Sequence, residues 1–273
     1  MATTITSHSD MNPSPRAVID LDPADLDPAT ATVTLHQLSK WGDQPVRGVE
    51  RRDLIGGLIV TDYEIPAGVP VTYRVEQLAE SGNSIGLALQ LSAAVDIPHG
   101  KVVIQDPLAP ADAIMLDLRP GSLAQLRKQY DLHVYRAGRD TVALAGLRSL
   151  LVDVPFVVTT DTDAEREHLD AILGETPILI RANPESRLPG SFYAVAGTLD
   201  QAPHDPTMLE TPIDDFSFAA TQVTRPALAI VVALISYDLF HDYVHATTSG
   251  TYDDARAIWL TYLDALRNPP VIF

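Results

Sequence analysis

Apolar residues recur at every second position in three runs of the first half of the chain, at 33–35, 69–75 and 85–91. Clusters of Gly, Pro, Asn and Asp separate these runs. Successive side chains of a strand point to opposite faces, so this alternation predicts antiparallel strands that each bury one face. We therefore predict an immunoglobulin- or fibronectin-like β-sandwich over residues 29–118.

A different order of elements follows, with a strand, a helix and a second strand. Residues 154–158 form an apolar run, and Thr162 with Glu165 has the spacing of a helix capping box. Gly174 marks the end of the helix, which we predict over 162–173. These elements predict a second, mainly β domain over residues 119–235 that contains one capped helix.

The two ends of the chain lack these patterns. Residues 1–28 begin with Ser, Thr, Asn and Pro without periodicity, which predicts a flexible arm and lead-in. Residues 236–273 contain a loose repeat of a hydroxyl residue, an aromatic residue and a carboxylate, which is typical of short capped helices. Such helices cannot bury an aromatic face alone, so we expect their aromatic residues to be assembly contacts. These candidate contacts are Tyr237, Phe240, Tyr252, Trp259 and Tyr262.

Charge and composition exclude several classes of function. The chain has 36 acidic and 19 basic residues, a formal net charge of −17, and no long basic run. Sequence-specific binding to nucleic acid is therefore not expected. The acidic surplus either keeps the protein soluble or lets a polyanion pass without sticking. There is no cysteine, and neither a signal peptide nor membrane insertion is expected.

Motifs for catalysis or metal binding are weak. His241 and His245 have the spacing of a helical zinc site, but no third ligand is evident, and a solvated helix face is the alternative. Asp214 and Asp215 are adjacent, so in a strand they point to opposite faces and cannot flank one glycosidic bond. We predict that the chain is not an enzyme and holds no cofactor or metal.

Three aromatic residues of the first domain have two interpretations. Trp41, Tyr63 and Tyr73 either stack on a sugar as glycan contacts or pack in the core and at strand edges. The sequence leaves both open.

Several residue strings, taken in order, resemble a known family. They are Pro-Val-Arg-Gly at 45–48, Val-Thr-Asp-Tyr-Glu-Ile-Pro-Ala-Gly-Val-Pro-Val-Thr-Tyr at 60–73, the capped helix and strand at 161–181, and the Ser/Thr-Tyr repeats of the tail. Together they resemble the minor tail proteins of long-tailed, non-contractile phages that infect actinobacteria. The resemblance covers roughly residues 16–270. The sequence departs from the family's pattern in using Tyr rather than Trp in the repeats, which leaves their docking partner open.

The resemblance implies a fold and a role. It implies a fibronectin-like sandwich, then a tail-tube-like domain of sheet plus helix, then the short helical repeats. The implied role is that of a structural virion protein at the distal tip of the phage tail, assembled in the host cytoplasm. Its implied partners are the distal tail protein, the tail hub, the tail tube and the tape measure, with a homo-oligomeric ring of three or six copies. The alternative function is a carbohydrate-binding module of the tail that adsorbs to a host surface glycan.

Overall fold

The computed structural model describes residues 2–119, 122–123, 126–129, 132–137, 140–145, 150–174, 177–204 and 213–226. Within these residues the chain is mainly β, as predicted, with many short antiparallel strands and one α-helix.

The first eight strands form an N-terminal two-sheet unit. Their bounds are β1 Thr4–His8, β2 Arg16–Leu21, β3 Thr32–Ser39, β4 Gly42–Pro45, β5 Arg52–Asp53, β6 Leu58–Asp62, β7 Val71–Leu78 and β8 Ser84–Ala93. One sheet has the order β1–β2–β6, and the other has the order β4–β3–β7–β8 with β5 also paired to β3. Alternate residues such as Ile19, Leu35 and Val75 from both sheets share one hydrophobic core, because a pleated strand presents every second side chain to the same face.

The prediction of a flexible arm over residues 1–28 is wrong for the described residues 2–28. Strands β1 and β2 pair with each other, and β2 pairs with β6. Ala17, Ile19 and Leu21 are completely buried. The polar side chains of β1 do not prevent strand formation, because the strand is held by backbone hydrogen bonds to its neighbour.

The remaining strands begin at Lys101. Their bounds are β9 Lys101–Asp106, β10 Ala109–Leu118, β11 Arg127–Gln129, β12 Leu132–Ala137, β13 Asp140–Ala145, β14 Leu150–Val152, β15 Val154–Thr160, β16 Ile178–Ala182, β17 Phe192–Pro203 and β18 Asp214–Val223. Six of them close an antiparallel barrel in the order β10–β15–β18–β17–β16–β9. The predicted boundary at residue 118 is therefore wrong, since β9 and β10 belong to the barrel.

The interior of the barrel follows the period-two pattern. Ile104, Phe156, Ile180 and Phe218 all face one core, and the rings of Phe156 and Phe218 stack with their centroids 5.3 Å apart. This apolar filling makes the barrel a packed body without a central channel between the described strands.

The predicted helix is confirmed. Helix α1 is Asp163–Gly174, and Thr162 accepts a hydrogen bond from the backbone N–H of Glu165 at 3.1 Å. The Glu165 carboxylate reaches back to the backbone N–H of Asp161 at 2.8 Å, which completes a capping box displaced by one residue. Leu169, Ile172 and Leu173 bury the apolar side of α1 against the barrel core.

One outer face of the barrel is buried as well. All five residues of β16 are buried, although only Ile178, Ile180 and Ala182 point into the barrel core. Leu179 and Arg181 lie on the opposite side of the strand, and Arg181 donates to the backbone of Pro15. The N-terminal unit therefore packs against the outside of the barrel at β16.

Candidate functional site

A fully buried arginine joins the two halves of the protein. The Arg181 Nη1 donates to the carbonyl of Pro15 at 2.6 Å, and its Nη2 donates to Ser14 Oγ at 3.0 Å and to Gln105 Oε1 at 2.6 Å. Burial lowers the pKa of Arg181 to about 10, an effect opposed by the nearby Asp62 and Glu64 carboxylates. The guanidinium is therefore charged at neutral pH; its two Nη atoms donate to neutral oxygens, whereas its buried Nε has no hydrogen-bond partner among the described residues.

A second part of this junction is an ion-paired cluster around Glu64. Its Oε1 accepts from Arg47 Nε at 2.6 Å, and its Oε2 accepts from Arg225 Nη2 at 2.5 Å. Arg47 also donates to the hydroxyl of Tyr193 on β17 at 3.3 Å. Burial alone lowers the pKa of Arg47, but attraction to Glu64 outweighs it and the pKa is raised. Burial and the Glu64 charge raise the pKa of Tyr193. One carboxylate thus neutralises a cation from each half.

Asp62 extends the polar junction into the core of the N-terminal unit. Its Oδ2 accepts from the Tyr73 hydroxyl at 2.7 Å and from Gln37 Nε2 at 2.9 Å, and its Oδ1 accepts the backbone N–H of Glu64 at 2.8 Å. Burial, followed by the like charge of Glu64, raises the pKa of Asp62 to about 6. Burial and the Asp62 charge also raise the pKa of Tyr73. Asp62 therefore changes protonation state in the folded protein near pH 6.

We expect Asp62 to make folding more favourable in mild acid. Its pKa rises from an ordinary value of 3.8 to about 6 on folding, so its stabilising contribution is complete below pH 4 and is lost as the pH rises through 6. The difference corresponds to about 3 kcal/mol between pH 4 and pH 7. Urea unfolding of the wild type and Asp62→Asn at several pH values measures it. The wild type should lose stability relative to the variant as the pH rises.

Other groups also titrate in this range, so the pH dependence is read from the difference between wild type and variant. Asp170→Asn on the exposed face of α1 is the control for the loss of one negative charge. A wild-type-to-variant difference for Asp62→Asn that stays constant from pH 4 to pH 7 would contradict the expectation.

The polar groups of this junction are largely closed to solvent. Its groups are buried and already hydrogen-bonded to one another, so they leave little room for a substrate. This junction was not predicted from the sequence. A signal was present in β16, where Arg181 interrupts an otherwise apolar strand, and an arginine in such a position is buried only with partners.

An open cleft lies at one edge of this junction, beside Trp41. Lys40 and Trp41 form the turn between β3 and β4, since Ser39 pairs with Gly42. Trp41 is 39% exposed. The edge of its indole lies against Gly190, and a Cβ added at position 190 would be 2.5 Å from the ring. The cleft has a volume of about 580 Å³. It is large enough to hold a small organic ligand.

The cleft concentrates positive charge. Its described lining includes Lys40, Lys128 and Arg187, and none of the described lining residues is Asp or Glu. Lys40 Nζ stands 4.5 Å from the centre of the Trp41 ring. Within the described residues, none of these three cations has a carboxylate within 4.0 Å. No local sequence pattern predicted this grouping, because the three residues are far apart along the chain.

The three aromatic residues proposed as glycan contacts, Trp41, Tyr63 and Tyr73, differ in their exposure to solvent. Trp41 is exposed in the cleft, whereas Tyr63 is 8% exposed and Tyr73 is completely buried. Burial raises the pKa of Tyr63 to about 12. The prediction of Tyr63 and Tyr73 as glycan contacts is therefore wrong, because neither ring face is open to a sugar.

Asp214 and Asp215 have separate partners. Asp214 contacts Arg166 and Gln201. Asp215 accepts from Thr159 Oγ1 at 2.7 Å and contacts His204 Nδ1 at 3.1 Å, while the other ring nitrogen of His204 lies 3.2 Å from Arg119. Both nitrogens of this imidazole are engaged. Asp214 and Asp215 therefore form separate ion pairs with different neighbours on the barrel.

The remaining predicted site residues lie outside the described part of the chain. These are the assembly contacts Tyr237, Phe240, Tyr252, Trp259 and Tyr262, the histidines at 241 and 245, and the whole predicted repeat segment 236–273. In the described ranges, no group of three or more His, Asp or Glu residues is arranged to hold a metal ion. No helix among them has the length and apolar character needed to cross a bilayer.

Comparisons with protein-family models, with curated proteins and with solved structures find no match to this chain. Its function must therefore be argued from its own surfaces. Two surfaces of the described residues are relevant, the outer edge of β8 and the Trp41 cleft.

Proposed function

We propose that the chain is a structural subunit, a minor tail component at the distal tip of a long non-contractile phage tail. The tail setting rests on the residue strings at 45–48, 60–73 and 161–181 that resemble that family. The role of a subunit in an assembly is supported by an open strand edge on the N-terminal unit. The proposal includes no catalytic step.

The open edge of β8 is the observation that carries the proposal. Among the described strands, β8 pairs only with β7, so its other edge has no strand partner, although β1 approaches its C-terminal end, where the backbone N–H of Ala94 donates to Ser7 Oγ. Leu87 on this strand is 63% exposed, and Ile85 is also exposed. Soluble monomers usually protect such an edge with charge or cover it. An apolar open edge is the kind of surface that accepts a strand from a neighbouring subunit.

Two other features suit a building block. Strands β12 and β13 form a hairpin that pairs with no other described strand, and a two-stranded sheet alone is marginally stable in water. The hairpin is therefore a second candidate contact with a neighbour. The ion-paired junction at Glu64 and Arg181 holds the two halves of the subunit together, which favours a fixed shape over a hinged one.

We further propose the finer architecture implied by the resemblance. The N-terminal two-sheet unit would correspond to the fibronectin-like module, and the barrel with α1 to the tail-tube-like domain. In the assembly the subunit would form a ring of three or six copies beside the distal tail protein, the hub, the tube and the tape measure. Residues 236–273 would contribute further contacts.

We expect charges on the β8 edge to prevent self-association. Ile85→Lys combined with Leu87→Lys places two charges where a neighbouring strand would pair, and it should weaken association at least tenfold, by about 1.4 kcal/mol or more. Sedimentation velocity over a range of concentrations measures this. Val195→Lys is the control, because Val195 is also exposed but lies on a barrel strand paired on both sides.

The location in the tail needs a separate test. Antibodies against the chain should label the tail tip of particles produced by the genome that encodes it, and the β8 double variant should be incorporated poorly. A wild-type chain that is monomeric at all concentrations and absent from such particles would refute the proposal.

Carbohydrate binding is a second candidate function, supported by the exposed Trp41. An indole at the wall of a cleft of about 580 Å³ is a suitable surface for the apolar face of a sugar ring. Glycan binding that is lost in Trp41→Ala while the fold is kept would support it.

A further inference from the structure

We propose that the Trp41 cleft binds an anionic saccharide, with a sugar ring on the indole and an acidic substituent held by Lys128 and Arg187. This inference deepens the second candidate function above and is independent of the assembly role. It specifies a ligand class that aromatic stacking alone would not select.

The first reason is the contrast between the cleft and the rest of the chain. The protein has a net charge of −17, so its general field repels anions. In the cleft, three cationic side chains converge, and no carboxylate is among the part of its wall that the structure describes. Cations without an ion-pair partner, focused in a concave site, attract an anion more strongly than scattered surface cations do. The charge of the cleft is therefore opposite in sign to the net charge of the protein.

The second reason is the way in which Trp41 is held. Gly190 allows the indole to approach closely, since an added Cβ would lie 2.5 Å from the ring and 2.7 Å from the carbonyl of Ala67. Lys40 lies over the ring at 4.5 Å. One edge of the indole thus rests against the backbone at Gly190, and a sugar that stacks on the face under Lys40 displaces that ammonium. A fixed aromatic surface reduces the entropy cost of stacking a ligand on it.

The third reason is the polar lining between the aromatic and cationic groups. Ser191 and Gln222 line the cleft and also line a second cleft of about 360 Å³ that shares Trp41. A hydroxyl and an amide are suitable partners for the hydroxyl groups of a sugar. Because the two clefts share Trp41, Ser191 and Gln222, an oligosaccharide that continued past the indole would reach the second cleft, whose lining includes both Asp43 and Arg225.

A single-stranded nucleic acid also combines rings with negative charge, but the structure favours a saccharide. Nucleic-acid binding usually depends on an extended basic track that follows several phosphates. Only three cations line this cleft, and the protein as a whole is acidic. A few cations beside one aromatic ring match one or two acidic groups on a short ligand.

Isothermal titration with the full chain tests the inference. The probes are an oligogalacturonate, its methyl ester, which has the same rings without the charge, and a phosphate-substituted dextran, which separates a carboxylate from a phosphate as the preferred group. We expect at least one charged probe to bind about tenfold or more tightly than the methyl ester. Its binding should weaken as salt is added.

Variants assign the effect to the residues. Trp41→Ala should weaken all saccharide binding, whereas Lys128→Gln with Arg187→Gln should weaken only the charged probes, by about tenfold or more. Arg52→Gln with Arg136→Gln removes two exposed cations outside the cleft and is the matched control. Urea unfolding confirms that each variant is folded.

The outcomes separate the alternatives. Equal binding of the methyl ester, unaffected by the double variant, would refute the anionic ligand and leave a neutral carbohydrate site. Tighter binding of a single-stranded oligonucleotide than of either charged saccharide would refute the saccharide. No saccharide binding at millimolar concentration would refute both this inference and the second candidate function, while the assembly role would stand.

Discussion

Replacing Glu64 by glutamine is expected to lower the free energy of unfolding by about 3–5 kcal/mol, the range for breaking a buried ion pair by removing one partner. The carboxylate is almost completely buried and accepts from Arg47 Nε at 2.6 Å and from Arg225 Nη2 at 2.5 Å. Glutamine keeps the size of the side chain but removes the negative charge. Two partly buried guanidinium groups are then left without their counter-charge. Urea unfolding at pH 7 measures the loss.

A control variant and a double-mutant cycle test whether the loss of stability comes from the ion pair between Glu64 and Arg47. Glu167→Gln on the exposed face of α1 makes the same exchange without a buried partner, and it should change stability by less than about 0.5 kcal/mol. Arg47→Met should be less damaging in the Glu64→Gln background than in the wild type, since it there removes a cation that has already lost its counter-charge. A loss below about 1 kcal/mol for Glu64→Gln would show that the junction does not depend on this pair.

Phe156→Ala is expected to have a comparable effect from a different cause. Phe156 is completely buried in the barrel and stacks on Phe218 with ring planes 10° apart. Truncation removes the transfer free energy of the ring and leaves a cavity between strands that cannot easily collapse, at a cost of about 3–5 kcal/mol. Thermal or urea unfolding measures it.

Val157, the next residue of β15, is the control for Phe156→Ala. Val157 points to the other side of β15 and is only half-buried, so Val157→Ala should cost about 1 kcal/mol. Equal losses at the two positions would mean that the interior of the barrel is not the tightly packed body described here. Glu64→Gln and Phe156→Ala should also differ in the pH dependence of their stability, because only Glu64→Gln changes the surroundings of Asp62.

The stability losses expected for Glu64→Gln and Phe156→Ala both bear on the proposed role as an assembly subunit. The barrel core holds one half of the subunit, and the charged junction holds that half against the N-terminal unit. A subunit that presents the β8 edge to a neighbour needs a fixed relation between its halves, because a hinge would add entropy cost to each contact. A weakened junction should therefore reduce assembly as well as stability.

Local patterns were sufficient for several elements. The alternation at 33–35 and 69–75 predicted β3 and β7, and the Thr162 capping box predicted α1 to within one residue. These predictions succeeded because pleat and capping depend on residues that are close in sequence. The arm over residues 1–28 failed because β1 is polar, and its pairing with β2 depends on backbone groups that have no side-chain signature.

The sequence by itself determined the mainly β class, the capped helix and the acidic character of this protein, since each follows from composition or short-range periodicity. Only the tertiary structure decided that β9 and β10 close a barrel, that Arg181 is buried at a junction, and that Tyr73 is hidden while Trp41 is open. It also brought Lys40, Lys128 and Arg187 to one cleft. Contacts between residues that are distant in sequence arise from strand pairing and packing, which no local pattern encodes.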